Sequence, residues 1–228
     1  MTVFLLSDKI GFPPPHLAEK DGLLAIGGDL SEKRLILAYR MGIFPWYSDD
    51  EPLIWWSPDP RLVLYPREIR VSKRLKRTIR KGDFHVTMDL AFPEVITACA
   101  ELRKQKGEGT WIVDGMIEAY CKLHESGFAH SVEAWYGGEL AGGLYGVSLG
   151  KCFFGESMFA RVSNASKVAF VRLVKYLEAL SFDMIDCQVT TDHLLRFGAR
   201  EIPRKRFLRE LEKSLRTPTI KGKWHFYV

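Results

Sequence analysis

The chain has 228 residues, 46% hydrophobic and 27% charged, with a formal net charge of +5. That composition is globular, without a low-complexity tract or internal repeat, and leaves room for one large or two small packed domains. No apolar run is long enough to span a bilayer, and the opening stretch, four apolar residues followed by charges and prolines, is not a signal peptide.

Residues 1–60 are rich in turns and aromatics. Ser31 caps a short helix through about Met41, which Gly42 stops. Phe44, Trp46, Tyr47, Trp55 and Trp56 follow among prolines, as a small satellite core or as a surface on which a base stacks. Between Arg67 and Lys81 there are eight basic residues and one acid, so this segment carries +7 and the rest of the chain −2. Ser72 caps a helix here, with Leu75 and Ile79 inward and Gly82 as its stop. Lys73, Lys76, Arg77 and Arg80 share one face, with Arg74 and Lys81 beside them. No acid occurs from Arg70 to Lys81, so a face that tracks phosphates is preferred to an ordinary solvated one.

His85–Met88 reads as a strand, and a helix with Pro93 in its first turn buries Val95, Ile96, Cys99 and Leu102. A break at Gly107 and Gly109 precedes Trp111. Asp114 then opens a helix with Ile117, Tyr120, Cys121 and His124 on one side. There the period changes to that of strands: His130–Tyr136, the hairpin pair Gly137-Gly138, Glu139–Leu149 and the run from Cys152 form an antiparallel meander. A helix through Leu180, a strand at Met184, a short helix at 192–197, a strand near Glu201 and a helix from Lys205 to Leu215 complete the order. Cys99, Cys121, Cys152 and Cys187 lack paired metal-ligand spacing and suit buried thiols in a reducing cytosol.

This order resembles the GNAT type of acyltransferase fold. The fold class expected is therefore α+β: a small N-terminal α/β domain (1–60), then a GNAT-like acyltransferase domain (61–228) with an antiparallel meander, flanking helices and splayed central strands. In that fold the acyl donor lies where the strands part. Here the gap falls between the strands carrying Glu156 and Asp186.

Three polar residues break the apolar pattern at that place. Glu156 sits inside the run from Cys152 to Phe159, where a carboxylate costs several kcal/mol unless paired. Asp186 and Gln188, two apart on one strand, leave the same face. Singly, each is more often satisfied by a neighbour or a buried water. Together, flanking one helix, they argue for a site. The loop Arg161-Val-Ser-Asn164-Ala-Ser166 lacks the glycines that let a backbone approach a pyrophosphate, which argues for a donor other than CoA.

The stretches GLLAIGGDL, GIFPWY after Tyr39, WWSPDPR, GTWI, GGLYGV, FFGESMF, NASK, IDCQV and GAREIPR occur in that order from Gly22 to Arg204. Through them the chain resembles the bacterial leucyl/phenylalanyl-tRNA–protein transferases. The resemblance implies transfer of leucine or phenylalanine, with methionine as a further donor, from its tRNA to proteins beginning with Arg or Lys. Such transfer marks the acceptor for the N-degron pathway of degradation. It implies Leu-tRNA and Phe-tRNA as partners, a cytoplasmic monomer, and no cofactor or metal, because an aminoacyl ester is already activated. By the family's pattern Trp46 and Trp111 stack on the 3′ adenine, with Tyr39 and Tyr120 as hydrogen-bonding neighbours. Asp186, Gln188 and Glu156 form the catalytic group, where the family's pattern casts the Gln188 oxygen as proton acceptor supported by Asp186. A neutral amide is a very poor base, so an orienting role for Gln188 is the better reading, with the two carboxylates facing a cationic acceptor. His193, just after a helix start, reads as structural. Leu144, Phe153, Met158, Leu173, Leu177 and Ile185 are candidates for an apolar aminoacyl pocket, and the basic run Lys73–Lys81 for the tRNA body. Two other readings stand beside this one: an N-acyltransferase of the same fold using another donor, and a non-catalytic RNA-binding module.

Overall fold

The computed structural model describes residues 3–105 and 112–226. Two sheets organise it. The smaller contains β1 (Phe4–Leu6), β2 (Leu23–Gly27), β3 (Phe44–Pro45) and β4 (Ile54–Trp56), in the order β1-β2-β4-β3. Helix α1 (Glu32–Arg40) lies between β2 and β3 and begins as expected, with the Ser31 hydroxyl accepting from the Arg34 amide. Leu35, Ala38 and Tyr39 turn inward from it, and the aromatics that follow divide: Trp55 and Phe44 join the core, while Trp46 stays 41% exposed.

The larger sheet holds the other seven strands: β5 (Arg61–Leu64), β6 (His85–Met88), β7 (Ala129–Tyr136), β8 (Glu139–Leu149), β9 (Cys152–Ala160), β10 (Met184–Gln188) and β11 (Arg200–Ile202). Their order is β11-β5-β10-β9-β8-β7-β6. The expected meander β7-β8-β9 is present, and β6 adds a fourth antiparallel strand at its edge. Helix α5 (Ala165–Ala179) carries the chain across to β10, which pairs parallel to β9 as a helical crossover requires. Beyond β10 come the short helix α6 (Asp192–Arg196) and, after β11, helix α7 (Arg204–Ser214). The architecture is mixed α+β.

Helix α5 packs on one face of this sheet, and α3 (Phe92–Gln105) with α4 (Asp114–Glu125) on the other. Strand β7 is therefore buried along six of its eight residues, where alternation had suggested one wet face. On α4 the buried stripe is Met116, Ala119, Tyr120 and Leu123, rotated from the predicted one so that Ile117, Cys121 and His124 lie at its margin. Helix α2 (Lys73–Lys81) matches its expectation, capped by Ser72 and closed by left-handed Gly82. Only Leu75 of it is buried. No helix among the described residues is long and apolar enough to cross a membrane.

The segment after α7 is tied down at one buried polar cluster. Asp89 accepts from the Ser131 amide (2.9 Å), the His130 ring (2.8 Å) and the Trp224 amide (2.6 Å), and the Trp224 indole stacks on His130 at 3.7 Å. Burial holds the His130 pKa below 6.5 despite Asp89, and His124 opposes its charge further. The unfolded chain thus takes up a proton at higher pH than the fold does. Stability is present above about 6.5 and is lost as pH falls through the folded value. Thermal melting between pH 7.5 and 5 should show this slope, and His130→Gln should flatten it; an unchanged slope would remove His130 from the account.

Candidate active site

Strands β9 and β10 run side by side only as far as Phe154 and Asp186. Past that point β9 stays on β8 and the end of β10 stays on β5, so the strands part. Each strand carries one extra residue at the parting. In β9, Gly155 and Ser157 face consecutive residues of β8, leaving Glu156 as the residue of a bulge. In β10, Asp186 and Gln188 face consecutive residues of β5, leaving Cys187 as the extra one. Bulges re-aim side chains and cluster near functional sites. Gly146 is required opposite the first of them, since a Cβ there would sit 2.2 Å from the Phe154 carbonyl oxygen. The alternation that predicted a shared face for Asp186 and Gln188 is broken by Cys187, and Gln188 takes a left-handed φ of 55°.

The gap opens into a cleft of about 700 Å³. Phe44, Pro45 and Trp46 form one wall, and Leu144, Phe153, Met158, Phe170, Leu173 and Ile185 form an apolar recess against α5. Five of the six residues expected for the aminoacyl pocket are here. Leu177 is not: it lies one turn beyond Leu173 on α5 and is fully buried in the core. Phe170 of α5, which the sequence reading did not place in the pocket, lines the recess as well.

Glu156 is partly accessible from this cleft, and its carboxylate anchors a chain of bonds. The Gln188 amide nitrogen donates to it at 3.0 Å and the Tyr120 hydroxyl at 3.2 Å. Tyr39 is hydrogen-bonded to Tyr120 in turn. Burial pushes the Glu156 pKa up to about 7, against the opposing effect of the two tyrosine hydroxyls, with Asp186 raising it further. The same burial, with Glu156 beside them, raises both tyrosines well above 10. Tyr39 and Tyr120 are 1% and 0% exposed and lie beneath the cleft floor, where α1 and α4 meet, rather than on its wall. Trp46 does stand on the wall. Trp111 lies outside the described residues.

Asp186 is not free to meet a cationic acceptor. Arg61 holds it with two bonds, Nε to Oδ1 at 2.8 Å and Nη2 to Oδ2 at 2.7 Å, and both residues are buried. The Gln188 backbone N–H donates to the same Oδ1 at 3.0 Å. Arg61, the last residue of WWSPDPR, carried no predicted role; its one signal was a charge opening a strand that is otherwise apolar. His193 lines the cleft, its Nε2 buried without a partner, and burial with Lys167 and Arg196 lowers its pKa. None of the four cysteines is in a disulfide, and Cys187 borders the cleft. The six basic residues of α2 are exposed, and among the described residues none of them forms an ion pair.

A carboxylate that titrates near pH 7, an oriented amide and an apolar recess can together accept a proton from an amine attacking a bound acyl group. Residues 63–212 match the family model of leucyl/phenylalanyl-tRNA protein transferases, and residues 28–59 match the model of that protein's N-terminal domain. A leucyl/phenylalanyl-tRNA–protein transferase of Desulforapulum autotrophicum is 58% identical over 226 residues, covering 99% of each chain. Proteins with the same name from Desulfatibacillum aliphaticivorans and Syntrophobacter fumaroxidans are each 59% identical, over 98% and 94% of this chain and 96% and 92% of theirs. A solved structure, that of L-PGS from Bacillus licheniformis, superposes with a TM-score of 0.38 at 9% identity over 74% of this chain and 53% of that one, a likeness too faint to carry an argument. By sequence, over nearly its whole length, the chain belongs to the leucyl/phenylalanyl-tRNA protein transferase family.

Proposed function

We propose that this cleft moves leucine or phenylalanine from an aminoacyl-tRNA to the α-amine of a protein whose first residue is Arg or Lys. The observation that carries the reading is the contact between Gln188 and Glu156 at the parting of the strands, beside an apolar recess of fitting chemistry. The amine attacks the ester carbonyl carbon, a peptide bond forms, and the bond to the ribose oxygen breaks. Glu156 takes the proton that the amine must lose and can return it to the ribose oxygen. Its pKa of about 7 suits both directions. Because the Gln188 nitrogen is engaged by Glu156, its amide oxygen is the arm offered to the amine. Asp186 acts through Gln188 rather than on substrate.

The aminoacyl side chain fits the recess formed by Leu144, Phe153, Met158, Leu173 and Ile185, and Trp46 offers a face to the 3′ adenine. Residues 61–228 are read as the GNAT-like unit and 1–60 as a smaller one whose Trp46 wall closes the cleft. The meander, the crossover helix and the parted strands support that division. Cysteines that form no disulfide suit a reducing cytoplasm. Radiolabelled Leu-tRNA mixed with an Arg-starting peptide tests the function. Label is expected in the peptide; acetyl-CoA turnover would favour a different donor, and tRNA retention without transfer a binding module.

Helix α2 is read as the contact for the tRNA body. Lys73, Lys76, Arg77 and Arg80, flanked by Arg74 and Lys81, can neutralise phosphates without reading bases. Each change of these four to Ala should lower the log–log salt slope of tRNA binding by roughly 0.7–0.9. An aminoacyl-adenosine donor should be used equally by variant and wild type. Equal losses on that minimal donor would withdraw α2 from tRNA recognition.

A further inference from the structure

The geometry points to Arg61 as a positioning residue of the transfer reaction: through its two bonds to Asp186 it holds Gln188 in the conformation from which the amide meets both Glu156 and the incoming amine. This rests on the function proposed above. Asp186 receives three donors, two from Arg61 and one from the Gln188 backbone, so its carboxylate is the hub between them. Gln188 is the residue just past the bulge, in a left-handed conformation that is strained for a non-glycine residue and so needs restraint. The restraint is a hydrogen bond to a carboxylate that cannot rotate, because a guanidinium fork fixes both its oxygens.

Arg61 is itself clamped. Its guanidinium lies 4.8 Å from the ring centre of Phe44 on β3 and 4.7 Å from that of Phe207 on α7. Phe44 also lines the cleft, so the wall carrying Trp46 and the strand carrying Gln188 share one anchor. Stability alone explains this arrangement poorly. Arg61 and Asp186 are 1% and 0% exposed, and Arg61 Nη1 is buried without a hydrogen-bond partner. Well-packed apolar residues often serve as well or better than a buried ion pair for stability. What an apolar pair cannot do is hold the Gln188 N–H.

The test uses leucyl-adenosine and an Arg-starting dipeptide. Arg61→Lys keeps the charge but loses the two-pronged grip. It should lower kcat by about 100-fold, the scale of a small misplacement of a reacting group, and leave both KM values within about threefold. In a Gln188→Ala background the same change should alter kcat less than about threefold, because the residue it acts through is gone. The double variant Arg61→Met, Asp186→Leu covers the case in which Arg61→Lys fails to fold; it should melt near wild type yet transfer as slowly as Gln188→Ala. Wild-type kcat in a folded Arg61→Lys or in the double variant overturns the inference, as does a loss confined to KM or one repeated in full without Gln188. If wild type itself transfers no leucine, the proposed function falls and this inference with it; transfer by wild type separates the two failures.

Discussion

Glu156→Gln is expected to lower kcat by about 100- to 10,000-fold, the range of a lost general base. The KM for the aminoacyl-tRNA should change little, because glutamine keeps the length of the side chain; its one oxygen can still accept from Gln188, while its nitrogen can donate to the Tyr120 hydroxyl oxygen. The pH profile is the sharper readout. In the wild-type enzyme kcat should rise about tenfold per pH unit below about 7 and level off above it, as Glu156 loses its proton. Glutamine removes that limb. A stability effect of opposite sign accompanies it. Burial raises the folded pKa of Glu156 from 4.5 to about 7, so its stabilising contribution is full below 4.5 and is lost as pH rises through 7. The variant should therefore melt higher than wild type at pH 8, by an amount bounded at about 3 kcal/mol, and equally at pH 4. A variant with wild-type kcat at pH 7 would remove Glu156 from proton transfer, whatever its melting point.

Gln188→Glu should also slow the enzyme, by about 100-fold or more, since it loses the orienting amide and disturbs the base. The Gln188 nitrogen donates to Glu156 at 3.0 Å, so the change sets two carboxyl groups against each other. Two such groups cannot both ionise readily, and they share a proton to higher pH. The limb near pH 7 should move upward, and the acceptor amine should be held as the unreactive ammonium. If Gln188 were itself the proton acceptor, a true base of reference pKa about 4.3 in its place should preserve or raise the rate. One pH–rate profile with a dipeptide acceptor separates the outcomes: a variant faster than wild type at pH 7 refutes the orienting role.

Local rules settled much of this protein in the sequence alone. Ser31 and Ser72 cap helices at the expected places because a side-chain oxygen next to a helical run has one nearby use. The meander was legible because strand periodicity and the Gly137-Gly138 pair are short-range signals. Glu156, Asp186 and Gln188 announced themselves as polar residues in apolar strands, and the ordered stretches from Gly22 to Arg204 disclosed the family. The tertiary structure decided what those residues touch. Arg61 and Asp186 are 125 residues apart in the chain, and no pattern in either strand foretells their pairing. The bulges at Glu156 and Cys187 exist only in relation to neighbouring strands, so the face rule for residues two apart failed where the site lies. Tyr39 and Tyr120 went beneath the cleft, and Leu177 out of it, because the packing of α1, α4 and α5 sets how far each helix reaches along the sheet. Periodicity tells which way a side chain faces; only the packed neighbours determine what it meets there.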